Sequence, residues 1–377
     1  MNKPFGNGTL PPAIRSRHVP DVNGLNIHIL EAGYKGAEDK PCVLLLHGFP
    51  ELAYSWRKVM PALADAGYYV VAPDQRGYGR STGWDPDYDG DLHSFRLLNL
   101  VRDMLGLLTA LGRWEIAGVV GHDFGASVAA NAALIRPDVF KALVLMSAPY
   151  GGPPALSVGA PAEAPDIHAG MAALPRPRKH YQWYYSTREA DADMWRCPQG
   201  VHDFLRAYFH QKSADWKANK PAPLSDWTAE ELAKLPTYYI MDQAQNMAET
   251  VAAEMPSADE IAGCAWLTEE ELHVYSGEYD RQGFRGGLQW YRCRTDGIQN
   301  AELDAFAGRT IDVPSCFISG ASDWGVHQVP SALETMRTKA CTDMRGVHLI
   351  DGAGHWVQQE QSKAVNRLLV EFLASLA

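Results

Sequence analysis

Short runs of consecutive apolar residues recur through the first part of the chain. They are CVLLLHG (42–48), YYVVAPD (68–74), IAGVVGH (116–122) and ALVLMSA (142–148). Because these runs are apolar at every position rather than at alternate positions, they indicate strands covered on both faces, as in a parallel sheet between helix layers. The segment 94–112 between them has apolar residues at helical spacing. Strands that alternate with helices predict a doubly wound α/β fold, preceded by a hairpin at Asn23-Gly24.

This pattern stops after the fourth run. Residues 148–170 are dense in Pro, Gly and Ala, and the sequence from there to about 309 predicts helices rich in Trp and Tyr, with no strand-like run. Strand patterns return at SCFISG (315–320) and GVHLID (346–351), and 364–377 has the pattern of a closing helix.

The sequence therefore predicts two domains. Residues 1–149 and 310–377 form an α/β core, and residues 150–309 are inserted into it as a helical cap. Active sites of open α/β sheets lie at the carboxyl ends of the strands. Since the insertion follows the ALVLMSA strand directly, we expect the cap to cover that edge of the sheet.

Composition excludes several classes of function. The chain has 377 residues, a net charge of −11 and no basic stripe, so nucleic-acid binding is not expected. It has no run of 18 apolar residues and no apolar leader, so we expect a cytoplasmic protein without a membrane span. The six cysteines form neither CxxC nor a Cys/His cluster, which predicts free thiols and no zinc site. Oligomeric state stays open between a monomer and a homodimer.

One short stretch has the context of a nucleophile elbow. Gly121-His122-Asp123-Phe124-Gly125 follows a predicted strand and precedes a predicted helix, with aspartate where many hydrolases have serine. The two glycines allow a tight, strained turn. The alternative reading is that Asp123 only caps the helix, since Asp is a common N-cap residue.

Three further stretches complete a hydrolase constellation. His355 lies in GAGHW after the last predicted strand, and Asp323 lies in SDWG after the preceding one. The order nucleophile, acid, histidine is that of an α/β-hydrolase triad, with His355 as base and Asp323 orienting it. HGFPE (47–51) follows another strand end, so its Phe49 amide and the Phe124 amide are the expected oxyanion hole.

These motifs together resemble a known family. HGFPE, DQRGYGRS, GHDFGA, SDWG and GAGHW, in this order, are similar to the motifs of the α/β-hydrolase superfamily and, within it, of the epoxide hydrolases. In the cap, GFRGGLQWYR resembles the family segment whose tyrosine faces the epoxide, which implies Tyr291. HYQWYY resembles the segment with the second tyrosine, which implies Tyr181, while Tyr184 and Tyr185 stay open. The chain departs from the family at Phe124, where tryptophan is common, and in a longer cap segment, 211–265.

The resemblance implies a reaction without metal or cofactor. A carboxylate such as Asp123 is a good nucleophile for displacement at a saturated carbon, and the resulting ester has a carbonyl that activated water can attack. The epoxide oxygen would receive hydrogen bonds and a proton from the two tyrosines, giving a vicinal diol. An apolar or aromatic epoxide is the expected partner. Trp183, Trp290 and Pro50 are expected to contact it.

Two alternatives remain at this point. A haloalkane dehalogenase would use the same nucleophile, although Phe49 and Phe124 have no side-chain donor for a departing halide. A non-catalytic ligand-binding protein of the same fold is the second alternative, against which the complete triad argues. The physiological epoxide and the stereochemical course cannot be predicted from the sequence.

Overall fold

The computed structural model describes residues 5–6, 8–156 and 166–376. Within them, eight strands form one sheet in the order β1-β2-β4-β3-β5-β6-β9-β10. These strands are β1 (Ile14–Val22), β2 (Leu25–Ala32), β3 (Cys42–Leu46), β4 (Tyr69–Pro73), β5 (Gly118–His122), β6 (Leu143–Met146), β9 (Ser315–Gly320) and β10 (Met344–Ile350). The first two strands pair with the sheet in antiparallel fashion and all later neighbours are parallel. The predicted doubly wound α/β fold is confirmed.

Helices flank this sheet, as its continuously apolar central strands require. They are α1 (Met60–Asp65), α2 (Leu97–Ala110), α3 (Phe124–Ile135), α14 (Ala332–Thr335), α15 (Val357–Glu360) and α16 (Ser362–Ala374). Single turns of 3-10 helix occupy Ala37–Asp39, Ala53–Trp56, Leu92–Phe95, Asp304–Phe306 and Trp324–His327, and a π-helical turn occupies Met336–Ala340. All five residues of β3, β4 and β5 are buried, and α3 is alanine-rich and almost entirely buried against them.

The chain between β6 and β9 is mostly helical, as predicted. Its helices are α4 (Ile167–Ala172), α5 (Tyr181–Tyr185), α6 (Glu189–Trp195), α7 (Gly200–Lys212), α8 (Ala229–Leu232), α9 (Met247–Ala252), α10 (Ala258–Gly263), α11 (Glu269–Gln282), α12 (Arg285–Thr295) and α13 (Ile298–Leu303). The expectation that this region has no strand is wrong, because β7 (Arg178–His180) pairs with β8 (Ile240–Asp242). Strands of three residues are too short to show a period. The division into two domains stays a prediction, and residues 157–165 of the predicted cap lie outside the described residues.

This helical region packs closely on the core. A Cβ atom on Gly286 in α12 would lie 2.0 Å from the carbonyl oxygen of Gly77, so only glycine permits the two backbones to meet there. The indole of Trp290 donates a hydrogen bond to the carbonyl of Arg76, at 2.9 Å. The buried Arg57 guanidinium pairs with Glu271 in α11, at 2.9 Å. The position of this helical region is therefore determined by backbone contact and by buried polar groups.

All six cysteines are free thiols, and five of them are buried. In the described part of the chain, no helix combines the length and the apolar character that crossing a bilayer requires.

His180, where β7 joins α5, is a buried histidine with a defined protonation state. Its Nδ1 accepts a hydrogen bond from the backbone N–H of Gln182, at 3.3 Å, so this nitrogen carries no proton. Its ring stacks on that of Tyr181 with 5.3 Å between centroids. Burial, together with the positive charges of Arg294 and His168, lowers the pKa of His180 to about 3. His180 is therefore neutral in the folded protein at all moderately acidic pH values.

We predict that Gly125→Ala destabilises the protein by about 1–3 kcal/mol, the range for overpacking. A Cβ atom there would lie 2.4 Å from the backbone oxygen of Leu46, and neither backbone can move away. Gly277→Ala in α11 is the matched control, because a Cβ atom there meets nothing within 4 Å. It should stabilise the protein by roughly 0.5–1 kcal/mol. Urea unfolding measures both, and equal midpoints for the two variants would contradict the packing argument.

We also predict that His180→Asn reduces the loss of stability in mild acid. Unfolded histidine titrates near 6.5, so below that pH the unfolded chain binds a proton that folded His180 does not bind until about pH 3. The free energy of unfolding therefore decreases as the pH falls from 6.5 towards 3, and the decrease amounts to about 2 kcal/mol at pH 5. Asparagine keeps an oxygen that can cap α5. Denaturant unfolding at pH 7 and pH 5 should give the smaller decrease for the variant, and equal decreases would show that His180 is protonated when folded.

Candidate active site

Asp123 occupies a strained turn between β5 and α3. Its φ of 52° and ψ of −119° are rare for a residue with a side chain, and strain of this kind concentrates at functional sites. The turn requires close backbone packing, because a Cβ atom on Gly121 would lie 2.3 Å from the carbonyl oxygen of Gly125. A Cβ atom on Gly48 would lie 2.4 Å from the Cβ of Asp123. The three glycines thus provide the room in which this aspartate is raised above the sheet.

The side chain of Asp123 makes no capping hydrogen bond to α3, so the helix-cap alternative is not supported. Its Oδ1 instead accepts the backbone N–H of Phe49, at 3.0 Å, and its Oδ2 lies 3.3 Å from Nε2 of His355. Burial opposes ionisation, but the hydrogen bond and charge of His355 and the charge of Lys212 outweigh it, and the pKa of Asp123 falls well below its usual range. The group is therefore a carboxylate at neutral pH.

His355 lies between two carboxylates. Its Nδ1 is 3.0 Å from Oδ1 of Asp323, at the carboxyl end of β9. Asp323 also accepts the N–H of Gly325 at 2.7 Å and the hydroxyl of Ser319 at 3.0 Å. Burial raises the pKa of Asp323, but the charge and hydrogen bond of His355 hold it below the ordinary value. Asp323 accepts a hydrogen bond from Nδ1 of His355, and the other ring nitrogen, Nε2, is the one that lies near Asp123. The structure thus brings together the three predicted triad residues.

The loop that carries His355 is held by groups that sequence reasoning missed. The His355 amide donates to the carbonyl of Lys212, the last residue of α7, at 2.9 Å. Glu360 accepts the amides of Gly354 and Trp356, both at 2.9 Å, and the amide of Ala214, at 2.8 Å. The histidine is therefore positioned jointly by the core and by the predicted cap. In the sequence, Glu360 is one more acidic residue near a helix, and nothing marks this role.

A second missed feature is the ammonium group of Lys212, a residue that is only 3% exposed as a whole. It lies over four aromatic rings, with distances to the ring centroids of 4.8–5.8 Å. These rings belong to Tyr208, Tyr238, Tyr239 and Trp356. Burial lowers the pKa of Lys212, while the charges of Asp123, Asp323 and Glu51 raise it. An aromatic cage of this kind stabilises a buried cation.

A third missed feature is a buried pair beneath the triad. Nδ1 of His122 lies 2.5 Å from Oε2 of Glu51, and Nε2 of His122 lies 2.7 Å from the carbonyl oxygen of His355. The other carboxylate oxygen of Glu51 accepts the side-chain amides of Gln358 and Gln359. Both ring nitrogens of His122 are thus engaged by the protein, which is typical of a structural residue.

Of the two residues predicted for the oxyanion hole, Phe49 contacts the Asp123 carboxylate and Phe124 follows Asp123 directly in the chain. The N–H of Phe49 already donates to that carboxylate. Phe124 is the first residue of α3, and an amide at that position has no acceptor within its own helix. Pro50 follows Phe49 through a cis peptide bond. The role of the two amides stays a prediction.

A cavity of about 470 Å³ opens above Asp123. Both predicted cap tyrosines line it, together with Phe124. The rings of Tyr181 and Tyr291 are 5.9 Å apart, and Oη of Tyr181 donates to Gln328 and accepts from Gln182, at 3.2 Å and 3.1 Å. Burial and the charge of Asp123 raise the pKa of Tyr181 above the ordinary phenol value. The same causes, together with neighbouring tyrosines, raise that of Tyr291.

The structure also separates Tyr181 from its neighbours. The hydroxyl of Tyr184 donates to Asp193, at 2.8 Å, and that of Tyr185 donates to the hydroxyl of Tyr208, at 3.2 Å. Neither residue is among those that line the described cavity. Of the three tyrosines in HYQWYY, Tyr181 is therefore the one that lines this cavity together with Asp123.

The expected substrate contacts of two tryptophans need correction. Trp183 is 37% exposed and packs on the outer side of α5 against His168 and His180. Trp290 is 1% exposed, and its N–H is already donated to Arg76. Neither they nor Pro50 belong to the described lining of the cavity. Which side chains of a cap helix point into the cavity depends on how that helix packs against its neighbours. The sequence pattern around Trp183 and Trp290 did not reveal this packing.

Comparisons with known proteins agree with this geometry. A family model described as the alpha/beta hydrolase fold matches residues 41–361. The chain is 37% identical to epoxide hydrolase A of Mycobacterium tuberculosis, covering 96% of this chain and 98% of the relative. It is 32% identical to an epoxide hydrolase of Caballeronia sordidicola, covering 94% and 92%.

Solved structures give the same result. An epoxide hydrolase from an endophytic Streptomyces superposes with a TM-score of 0.77 at 33% identity, covering 97% of each chain. Epoxide hydrolase I of potato, Solanum tuberosum, superposes with a TM-score of 0.73 at 31% identity, covering 96% of this chain and 99% of that one. The chain therefore belongs to the alpha/beta hydrolase fold family and, within it, to the epoxide hydrolases.

Proposed function

We propose that the protein hydrolyses an epoxide to a vicinal diol through a covalent ester of Asp123. The observation that carries this proposal is the placing of a carboxylate at the elbow, 3.3 Å from Nε2 of His355. Tyr181 and Tyr291 line the same cavity as Asp123. The names of the relatives support the same activity.

In the first step, an oxygen of Asp123 attacks a ring carbon of the epoxide. A carbon–oxygen bond forms, and the bond between that carbon and the ring oxygen breaks. The ring oxygen leaves as an alkoxide, which is far more basic than a phenolate, so Tyr181 or Tyr291 gives it a proton. Before transfer, both hydroxyls polarise the ring oxygen by hydrogen bonding.

In the second step, Nε2 of His355 takes a proton from water while the water oxygen attacks the ester carbonyl of Asp123. The amides of Phe49 and Phe124 hold the negative oxygen that forms. The diol leaves with the proton from His355. The remaining proton of water, left on the Asp123 carboxyl, returns to the tyrosinate. Asp323 stabilises the imidazolium throughout.

The dehalogenase alternative receives less support from the same geometry. A departing halide needs N–H donors, and the indole of Trp290, next to Tyr291, is already engaged with Arg76. The two tyrosine hydroxyls of this cavity suit an oxygen leaving group, which must be protonated. We therefore favour an epoxide over a haloalkane.

Apolar and polar groups share the cavity wall. Leu97, Phe124 and Pro149 offer apolar surface, whereas Gln182 and Gln328 lie beside the Tyr181 hydroxyl. We propose that an apolar or aromatic substituent of the epoxide lies on the apolar part. Cytoplasmic localisation stays a prediction, and the oligomeric state stays open between a monomer and a homodimer.

Asp123→Ala should lower the rate of diol formation from styrene oxide by roughly 10⁴-fold or more, as loss of a nucleophile does in other covalent enzymes. Diol and free halide are measured in parallel, with a set of 1-haloalkanes as second substrates. Asp138→Ala, an exposed carboxylate in an ion pair with Arg136, is the matched control and should keep full activity. Halide release without diol would support the dehalogenase instead.

The covalent step is tested separately with His355→Gln. This variant should still form the ester but not hydrolyse it, so intact-mass spectrometry should find the mass of one substrate added to the protein. Adding Asp123→Ala to the same variant should remove the adduct. An adduct that persists in the double variant would place the nucleophile elsewhere.

Tyr181→Phe and Tyr291→Phe should each slow alkylation by roughly 10–100-fold, and the double variant by about 10⁴-fold, because one remaining hydroxyl can still supply the proton. Stopped-flow tryptophan fluorescence follows the alkylation step. Tyr184→Phe, whose hydroxyl binds Asp193 and not the cavity, is the matched control and should keep the wild-type rate. A wild-type rate in the double variant would exclude the tyrosines as the acid.

A further inference from the structure

Two helices of the predicted cap present three potential metal ligands to one point at the surface. His202 lies in α7, while Glu269 and His273 lie one turn apart in α11. One ligand atom from each residue can be chosen so that all three lie within 4.8 Å of one another. The two imidazole rings are 4.2 Å apart between centroids. None of the three lines the cavity above Asp123.

The second nitrogen of each imidazole is already engaged by the protein. Nδ1 of His273 lies 2.7 Å from the backbone oxygen of Glu269 and donates to it. Nδ1 of His202 lies 3.2 Å from the hydroxyl of Ser276. A serine hydroxyl can donate or accept, so His202 can carry its proton at Nδ1. Nε2 of His273 can therefore be unprotonated, the state that a metal requires. In the structure, Nε2 of His202 donates to Glu269, so a metal would displace that proton, and Nδ1 of His202 would then donate to Ser276.

The carboxylate is oriented in the same way. One oxygen of Glu269, Oε1, accepts from the guanidinium of Arg206, at 2.5 Å. The other, Oε2, lies 2.9 Å from Nε2 of His202. This separation is slightly shorter than that of two ligands on one ion, so small side-chain rotations would admit one between them. All three ligands thus have an outer partner, which is the usual arrangement around bound metals.

We propose that His202, Glu269 and His273 bind one borderline divalent transition-metal ion, represented by Zn²⁺, which links α7 to α11. Two imidazoles and one carboxylate are ligands that suit zinc, and water would complete a tetrahedral set. Harder cations such as Mg²⁺ prefer oxygen ligands and should not bind. The charge of Arg206 opposes that of the ion, so the affinity should be weaker than that of a structural zinc site without a nearby cation.

The link would brace the helix whose last carbonyl holds the His355 amide. Residue Lys212, at the end of α7, supplies that carbonyl. The ion lies away from the cavity and takes no part in the reaction. Its expected effect is therefore on the stability of the cap and not on the chemical step.

The test uses the full chain without a histidine tag, treated with chelator and titrated with ZnCl₂ by calorimetry. We expect one equivalent to bind, with an increase in Tm of about 5 °C at a zinc concentration about 100 times Kd. His202→Ala and His273→Ala should abolish saturable binding and this increase. Ser276→Ala should weaken binding by about 10-fold, as loss of an outer partner does. His93→Ala, an exposed histidine outside the cluster, is the matched control and should bind normally.

Cobalt gives a second readout, because four-coordinate Co²⁺ has strong visible absorption bands. Wild-type protein and His93→Ala should show them, and His273→Ala should not. His273 is exposed, so this variant should fold even if His202→Ala does not. Absence of saturable zinc binding in the wild type would overturn the proposal. So would undiminished binding in His273→Ala, or equal binding of Mg²⁺.

Discussion

The carboxylate of Asp123 is held above the sheet by a backbone turn with a φ of 52°. This turn is strained, and it can form only because the surrounding backbone leaves room for it. Glycines at 48, 121 and 125 leave room where any side chain would meet an atom within about 2.4 Å. The amide of Phe49 approaches from the loop after β3, and the imidazole of His355 from the loop after β10. Three strand ends thus converge on one charged group, as expected of parallel strands whose carboxyl ends share one edge.

A buried carboxylate is costly to desolvate, and here the compensation comes from several directions. The amide of Phe49 donates to Asp123, and His355 faces it. The ammonium of Lys212 contributes positive charge without a direct hydrogen bond to it. That ammonium is itself stabilised by a cage of four aromatic rings. The electrostatics of the site therefore depend on a residue of the helical region, α7, as well as on the sheet.

The helical region contributes to the site in two distinct ways. It supplies Tyr181 and Tyr291 to the wall of the cavity that Asp123 also lines, and it supplies the carbonyl of Lys212 that binds the His355 amide. Its own position depends on buried contacts with the core, such as the pair between Arg57 and Glu271 and the backbone contact at Gly286. A change in how these helices pack would therefore alter both the positions of Tyr181 and Tyr291 on the cavity wall and the orientation of His355.

The sequence by itself determined the features that are encoded locally. Apolar runs bounded by glycine marked the strands of the sheet, and Asp123, Asp323 and His355 were recognisable because each follows a strand end in a characteristic turn. Only the tertiary structure decided which residues meet across distant segments. It placed Tyr181 on the cavity wall, turned Trp183 outwards, brought Lys212 beside the triad, and set His202 against Glu269. The reason is physical: the turn at a strand end depends on adjacent residues, whereas the direction of a side chain on a helix depends on how that helix packs against others.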